Sequence, residues 1–294
     1  MRIVCQTCMH HCQLEMGQQG ICGARMNQDG RIVCKNYGQI TALALDPIEK
    51  KPLRLFEPGS MVLSVGSYGC NLSCPFCQNH EISMLNRNGA RSNKELAHSV
   101  YLPPEELAKK AAAYRESGNI GVAFTYNEPL VGWEYVRDTA RLVKKYGMKN
   151  VLVTNGTASL NVLEELLPYI DAMNIDLKGF RDSYYKSLGG SLPAVQQFII
   201  RAAAECHVEL TTLIVPGEND DAAEMEEEAK WIASLPFAAT ASDGNQTGKY
   251  IPLHVTRFFP RYHMTDKNPT DVQQVYRLAD VAGKYLKYVF VGNC

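Results

Sequence analysis

Ser67-Tyr-Gly-Cys70-Asn-Leu-Ser-Cys74-Pro-Phe-Cys77-Gln-Asn-His80 brings three cysteines together with the spacing C-x3-C-x2-C. The apolar run 61–65 precedes them, which predicts a strand that delivers all three thiols to one loop. A cubane iron–sulfur cluster held by protein alone uses four cysteine ligands. A loop with three therefore leaves one iron open to a small molecule, as a catalytic metal site keeps an open position.

The composition narrows the class of protein to which this loop belongs. With 294 residues, 46% hydrophobic and 21% charged, the chain is predicted to be globular, with one large domain and an appendage. A net charge of -1 without a block of Lys or Arg argues against nucleic acid or an acidic membrane surface as a partner. The first residues do not resemble a signal peptide and no apolar run is of membrane-spanning length, so we expect a cytoplasmic protein.

The chain has ten cysteines, which in a reducing compartment point to metal or redox chemistry instead of disulfides. A second group precedes the first, at Cys5, Cys8, Cys12 and Cys22. Four thiols could close a structural zinc site or hold a second iron–sulfur cluster, and free thiols are the third alternative, because spacing alone does not choose between soft-ligand metals. We predict that residues 1–59 form a small Cys-rich extension with a possible metal site.

From residue 60 to residue 294, short apolar runs rich in β-branched residues alternate with longer segments of helical period. This alternation predicts parallel strands joined by right-handed crossovers, hence an α/β barrel or open sheet. Helices are predicted after Pro103-Pro104, after Pro129, and over 160–167 and 222–235. The predicted strands are 62–65, 120–125, 151–154, 172–177, 208–215 and 250–255, with 288–291 as a possible seventh.

Polar residues recur at the ends of the predicted strands, where α/β proteins bind their ligands. They are Asn127, Glu128, Thr154, Asn155, Asp176, Lys178 and His254. Each has a simpler interpretation. Asp176 and Lys178 could form an internal ion pair with Glu128, Asn155-Gly156 could be a turn, and a single histidine such as His254 is usually a hydrogen-bonded interior residue.

The cysteine spacing, with Phe76 just before the last cysteine, resembles the motif of radical S-adenosylmethionine (radical SAM) enzymes. Cys77-Gln-Asn-His80 resembles its continuation in glycyl-radical-enzyme activating enzymes, such as the pyruvate formate-lyase activating enzymes. Nearly the whole chain is similar to the radical SAM member of the AmmeMemoRadiSam system, which also begins with a Cys-rich segment. The similar stretches are 125–129, 153–156, 174–178, 215–220, 254–260, 262–266 and 288–293.

The resemblance implies a partial (β/α)6 TIM-like barrel with a [4Fe-4S] cluster at its mouth. Cys70, Cys74 and Cys77 would each ligate one iron, and S-adenosylmethionine (SAM) would chelate the fourth. Glu128, beside Asn127, would bind the amino group of SAM. The resemblance places Thr154, Asn155, Asp176, Lys178 and His254 around the carboxylate and ribose of SAM, with Phe76 near the adenine. Val153 and Asn174 replace an Asp and a Met that help to hold a monovalent cation in activating enzymes.

The resemblance also implies the chemistry. An external donor such as flavodoxin or ferredoxin would reduce the cluster, SAM would be cleaved, and a 5′-deoxyadenosyl radical would abstract hydrogen from a substrate. The substrate would be a protein activated by hydrogen abstraction, or a peptide or small molecule. No particular catalytic acid or base is predicted. The alternatives are an iron–sulfur electron-transfer protein, disfavoured because the loop lacks a fourth thiol, and a zinc-stapled scaffold.

Overall fold

An eight-stranded sheet is the centre of the computed structural model, which describes residues 2–85, 99–236 and 247–294. Its strands are β6 (Ala42–Pro47), β7 (Met61–Gly66), β9 (Asn119–Phe124), β10 (Lys149–Thr154), β11 (Ala172–Asp176), β12 (His207–Ile214), β13 (Leu253–Arg257) and β14 (Val289–Gly292). They lie in chain order, with β6 and β14 at the edges. All neighbours from β7 to β14 are parallel, and β6 is antiparallel to β7. The predicted α/β fold with a partial TIM-like barrel is confirmed.

Helices cover the outer face of this sheet. In the helix Trp133–Lys145, four residues are buried at helical spacing against the core, namely Tyr135, Val136, Ala140 and Val143, and charged residues lie on the other side. Within the described part of the chain, no helix is long and apolar enough to cross a membrane. The helices are α1 (His80–Ser83), α2 (Pro104–Ala113), α3 (Trp133–Lys145), α4 (Leu160–Leu166), α5 (Asp182–Ser187), α6 (Leu192–Ala203), α7 (Ala222–Ser234) and α8 (Val272–Ala282).

The inner face of the sheet is filled by residues 48–55, which we call the inner plug. Its Leu53 is fully buried and packs with one small apolar residue from each of four strands, namely Val62, Ala123, Val151 and Ala172. The alternate residues of these strands belong to the core under the helices. The Glu209 carboxylate fixes the end of the plug by accepting hydrogen bonds from the backbone N–H groups of Arg54 (2.9 Å) and Leu55 (2.8 Å).

The sheet crosses the predicted domain boundary at residue 60. Strand β6 and the inner plug both lie within residues 1–59, yet one is an edge strand of the main sheet and the other fills its interior. The division into an extension of residues 1–59 and a core of residues 60–294 stays a prediction. The rest of the extension contains the pairs β1 (Ile3–Val4) with β2 (Gln13–Leu14) and β3 (Arg25–Gln28) with β4 (Arg31–Cys34), while β5 (Gln39–Ile40) pairs with β8 (Val100–Tyr101).

Candidate functional site

A cavity of about 490 Å³ lies at the carboxyl ends of the parallel strands. Its lining includes the three thiols of the loop that follows β7 and polar residues that follow β9, β10 and β11. A larger and more open groove of about 790 Å³ lies beside the start of α8, contains no thiol and shares no residue with this cavity. The lining residues that the sequence had singled out are Cys70, Cys74, Cys77, Phe76, Asn127, Glu128, Thr154, Asn155, Asp176 and Lys178.

Asn127 holds the cysteine loop in place through its side-chain amide. Its Nδ2 donates to the carbonyl oxygens of Tyr68 (3.1 Å) and Gly69 (3.0 Å), and its Oδ1 accepts from the N–H of Ser67 (2.9 Å). Gly69 has φ of +90°, and a Cβ there would lie 2.6 Å from the carbonyl oxygen of Cys22. Because both polar atoms of the amide bind the loop backbone, Asn127 orders the thiols instead of presenting its side chain to a ligand.

Glu128 places a buried carboxylate, 4% exposed, at the cavity wall. Its oxygens accept hydrogen bonds from Leu130 N (3.0 Å), Thr154 Oγ1 (2.7 Å) and Asn155 N (2.8 Å). Burial raises the pKa of Glu128 to about 7, although these three hydrogen bonds act in the opposite direction. The carboxylate is thus fixed in orientation, and a cation bound beside it would favour its ionised form.

Asn155 connects this carboxylate to the cysteine loop. Its Nδ2 donates to Asn71 Oδ1 at 2.9 Å and lies 3.7 Å from Cys70 Sγ, while its Oδ1 accepts from Thr157. Asn71 in turn donates to Thr157 Oγ1 at 2.7 Å. The loop that follows β10 and the loop that follows β7 therefore form one buried hydrogen-bond network around Cys70.

Asp176 and Lys178 form an ion pair at the cavity wall, with 2.6 Å between Oδ2 and Nζ. Burial alone would lower the pKa of Lys178, but the charges of Asp176 and Cys74 raise it above its ordinary value, so the ammonium stays charged. The carboxylate of Glu128 accepts its hydrogen bonds from Leu130, Thr154 and Asn155. The alternative in which Glu128 belongs to this ion pair is therefore wrong. Phe76 packs edge-on against Phe258, with 6.3 Å between ring centroids.

His254 is the one predicted cofactor contact that does not line the cavity. It is the second residue of β13 and pairs with Thr211 of β12, and its Nε2 lies 2.6 Å from Glu209 Oε2. Thr256, two positions further on the same strand, lines the cavity instead. The strand continues to Arg257, two residues beyond the predicted end at residue 255, so His254 is an interior histidine instead of a residue at the strand end.

Lys51 of the inner plug is a cavity residue that the sequence analysis missed. Its side chain is 4% exposed, and its Nζ lies 2.9 Å from Asp46 Oδ2 and 4.8 Å from the centre of the Tyr126 ring. The Tyr126 hydroxyl and Lys50 also bind Asp46. Two ammonium groups share one carboxylate, so this part of the wall carries one net positive charge. A lysine in a proline-flanked segment without periodicity gave no sequence signal.

The N-terminal cysteines lie in two turns against the cysteine loop. Cys5 and Cys12 are paired at the end of the β1–β2 ribbon, where Cys5 N donates to Cys12 O at 2.9 Å. Cys8 lies in the turn between them and interacts electrostatically with Cys12 and Cys22. The carbonyl oxygen of Cys22 accepts a hydrogen bond from Cys70 N at 3.2 Å. The two cysteine groups are therefore joined directly through the backbone.

Neither cysteine group converges on a single point. Within residues 2–85, 99–236 and 247–294, no group of three or more His, Cys, Asp or Glu side chains is arranged to hold one metal ion. A [4Fe-4S] cluster takes each thiolate on a different iron, so its ligands surround a volume instead of a point. Three thiols that line one cavity beside a buried carboxylate fit a cluster with one open iron.

A family model described as the Radical SAM superfamily matches residues 64–231. The uncharacterized protein MJ0808 of Methanocaldococcus jannaschii is 34% identical over 294 residues, which cover 99% of this chain and 81% of that protein. Pyruvate formate-lyase 1-activating enzyme of Escherichia coli K12 is 30% identical over 160 residues, 52% of this chain and 61% of that enzyme. The crystal structure of Streptococcus suis SuiB shares the fold, with a TM-score of 0.56 at 14% identity over 78% of this chain and 48% of that one.

Proposed function

Because this chain belongs to the radical SAM superfamily, we propose that it binds a [4Fe-4S] cluster and SAM in the cysteine cavity and acts as an enzyme there. When bound, these groups supply a 5′-deoxyadenosyl radical, formed by one-electron cleavage of SAM, that abstracts hydrogen from a substrate. The observation that supports this function is that three thiols and the fixed carboxylate of Glu128 line the same cavity.

The residues of the cavity divide into those that contact the bound groups and those that position them. Cys70, Cys74 and Cys77 would ligate three irons, and the Glu128 carboxylate would bind the ammonium group of SAM. The Asp176–Lys178 pair offers an acceptor and a donor for the ribose and the carboxylate of SAM. Phe76 offers an apolar surface for the adenine. Thr154 acts through Glu128, and Asn155 and Asn127 act through the cysteine loop.

Two classes of substrate are proposed for this cavity. The chain spans 61% of the length of the E. coli activating enzyme, and activation of a protein partner by hydrogen abstraction is one proposal. Modification of a peptide or small molecule is the other. The net positive charge of Lys50, Lys51 and Asp46 favours a substrate with an anionic group in either case. A flavodoxin- or ferredoxin-type protein is the proposed electron donor.

The proposed function is tested by anaerobic reconstitution of the full chain with iron and sulfide, followed by reduction with dithionite in the presence of SAM. We expect 5′-deoxyadenosine and methionine in equal amounts, measured by liquid chromatography. A fully loaded cluster that leaves SAM intact after reduction would indicate an electron-transfer protein. A chain that takes up zinc alone would indicate a scaffold.

We further propose that Cys5, Cys8, Cys12 and Cys22 hold a second metal centre, either zinc or an iron–sulfur cluster. The support is that Cys5, Cys8 and Cys22 are buried and that all four come from two adjacent turns. Because the thiols do not converge on a single point, zinc would require them to move together.

Metal analysis of a variant in which Cys70, Cys74 and Cys77 are all alanine separates the alternatives at this second site. We expect about one equivalent of zinc, or iron with sulfide, to remain in that variant, because its N-terminal thiols are intact. The matched control carries four further alanines at Cys5, Cys8, Cys12 and Cys22, and we expect it to bind neither metal. Absence of both metals from the first variant would mean free thiols and would contradict the second centre.

A further inference from the structure

Helix α5 carries a buried hydroxyl group without a hydrogen-bond partner in the described protein. Tyr184 is 6% exposed, and its Oη forms no hydrogen bond. Tyr184 packs in a hydrophobic cluster with Leu72, Cys74, Phe76, Leu188, Val215 and Phe258, and the charged groups of Lys178, Glu218 and Glu224 also act on it electrostatically. Burying a hydroxyl without a partner is unfavourable, and a phenylalanine would fill this position without that cost. The hydroxyl therefore needs an explanation outside the protein atoms.

The neighbouring tyrosine shows the contrast. Tyr185 is fully buried, and its Oη accepts a hydrogen bond from the backbone N–H of Lys178 at 2.9 Å. That hydroxyl has a structural role in the loop that follows β11. Tyr184, at the adjacent position of the same helix, forms no such hydrogen bond to any of the described residues.

Tyr184 lies against the cysteine loop, and the two are held together. The N–H of Ser73 donates to the carbonyl oxygen of Leu188, just after α5, at 2.7 Å. At Gly190 a Cβ would lie 2.9 Å from the Tyr185 ring and 3.1 Å from Leu72, so the turn after α5 packs tightly on the loop. Tyr184 interacts electrostatically with Cys74 and Lys178. The Tyr184 side chain therefore packs in the same cluster as Cys74, the middle cysteine of the loop.

The hydroxyl acts as a donor in this environment. A tyrosine hydroxyl carries its proton at neutral pH and can therefore donate a hydrogen bond. The hydroxyl bonds to none of Lys178, Glu218 and Glu224 within the described residues, and sulfur is the acceptor that its own packing cluster offers. The sulfur atoms available there are those of the cysteine thiolates and of the inorganic sulfides of a bound cluster.

We propose that Tyr184 donates a hydrogen bond to a sulfur atom of the cluster held by Cys70, Cys74 and Cys77, and so tunes its reduction potential. This inference rests on the proposed function. Hydrogen bonds to cluster sulfurs are among the factors that set the potential, because they stabilise the additional negative charge of the reduced state. Removal of the hydroxyl should therefore make the cluster harder to reduce.

The test compares wild type and Tyr184→Phe, both reconstituted to equal iron and sulfide content, by redox titration monitored by electron paramagnetic resonance without SAM. At the wild-type midpoint, we expect the ratio of reduced to oxidised cluster in the variant to fall about tenfold, a shift of about 59 mV to more negative potential. Tyr276→Phe is the matched control, because Tyr276 is 50% exposed on α8, and its midpoint should equal that of wild type. Equal midpoints for wild type and Tyr184→Phe would overturn the inference.

A second measurement on the proteins without a cluster keeps the inference testable if Tyr184→Phe loads poorly. Since the hydroxyl has no protein partner, cluster-free Tyr184→Phe should unfold at the same or a higher denaturant concentration than cluster-free wild type. A clearly lower midpoint would mean that the hydroxyl has a protein partner, and would overturn the inference. Failure of wild type to bind any cluster would contradict the proposed function itself, whereas a loaded cluster with no shift contradicts only the role of Tyr184.

Discussion

Cys74→Ala is expected to lose the iron–sulfur cluster of the cavity and to form no detectable 5′-deoxyadenosine. Cys74 is the middle ligand of the loop and is 8% exposed, so solvent cannot readily replace its thiolate. With two of the three thiols left, two of the four irons of the cluster would lack a protein ligand. Iron and sulfide content, together with 5′-deoxyadenosine after reduction, are the measurements.

Cys206→Ala is the matched control for this variant. Cys206 is also buried, at 5% exposure, but its Sγ contacts the carbonyl oxygen of Ala202 in the core under the helices. We expect a small loss of stability, about 1–2 kcal/mol for a lost thiol in a core, with cluster content and SAM cleavage retained. A Cys74→Ala protein that still cleaved SAM at the rate of the control would exclude Cys74 as a ligand.

Glu128→Gln is expected to weaken SAM binding about 10- to 100-fold, the equivalent of a lost charge-assisted hydrogen bond of about 1.5–3 kcal/mol. A glutamine can accept from Leu130 N and Thr154 Oγ1 with its oxygen, but its NH₂ group then faces the N–H of Asn155. In the wild type, this N–H donates to the carboxylate at 2.8 Å. Two donors would oppose each other, and Asn155 would move. Equilibrium binding of SAM to the loaded protein measures the effect.

Glu164→Gln is a suitable control, because Glu164 forms its ion pair with Arg201 at the surface, away from the cavity lining. An unchanged affinity in Glu128→Gln would exclude Glu128 from the ammonium site. Intact cluster content in both variants is needed to attribute the loss to SAM binding.

The same carboxylate predicts how SAM binding depends on pH. Burial raises the pKa of Glu128 to about 7, so the protonated form is favoured in the folded protein without ligands. Its contribution to stability is fully present below the unfolded value of about 4.3 and is lost as pH rises through 7. An ammonium group requires the ionised form, so SAM should bind several-fold more tightly at pH 8 than at pH 6. Glu128→Gln should remove this dependence, and pH-independent binding by wild type would contradict it.

Local patterns predicted much of the fold. The alternation of apolar runs and helical periods gave all the parallel strands, since each run contains its own signal of β-branched residues. Helix α6 was missed although Leu192, Val195, Phe198, Ile199 and Ala202 follow a helical period in the sequence. The apolar spacing alone is enough to indicate this helix.

Other features depend on residues that are distant in the chain. Lys51 and the inner plug were not predicted, because the plug is held by Glu209, which lies 155 positions after Arg54. The role of Asn127 also differs from its expected contact, since its amide is used by the backbone of a loop some 60 positions earlier. A sequence pattern places such residues at a strand end, but it does not show which partner occupies each polar atom.

The inner plug also bears on the order in which the protein is made. Its residues leave the ribosome before any parallel strand, yet Glu209 on β12 is synthesised much later. Contacts of such long sequence separation form late in folding. The two hydrogen bonds that fix the end of the plug therefore form only after β12 has been synthesised.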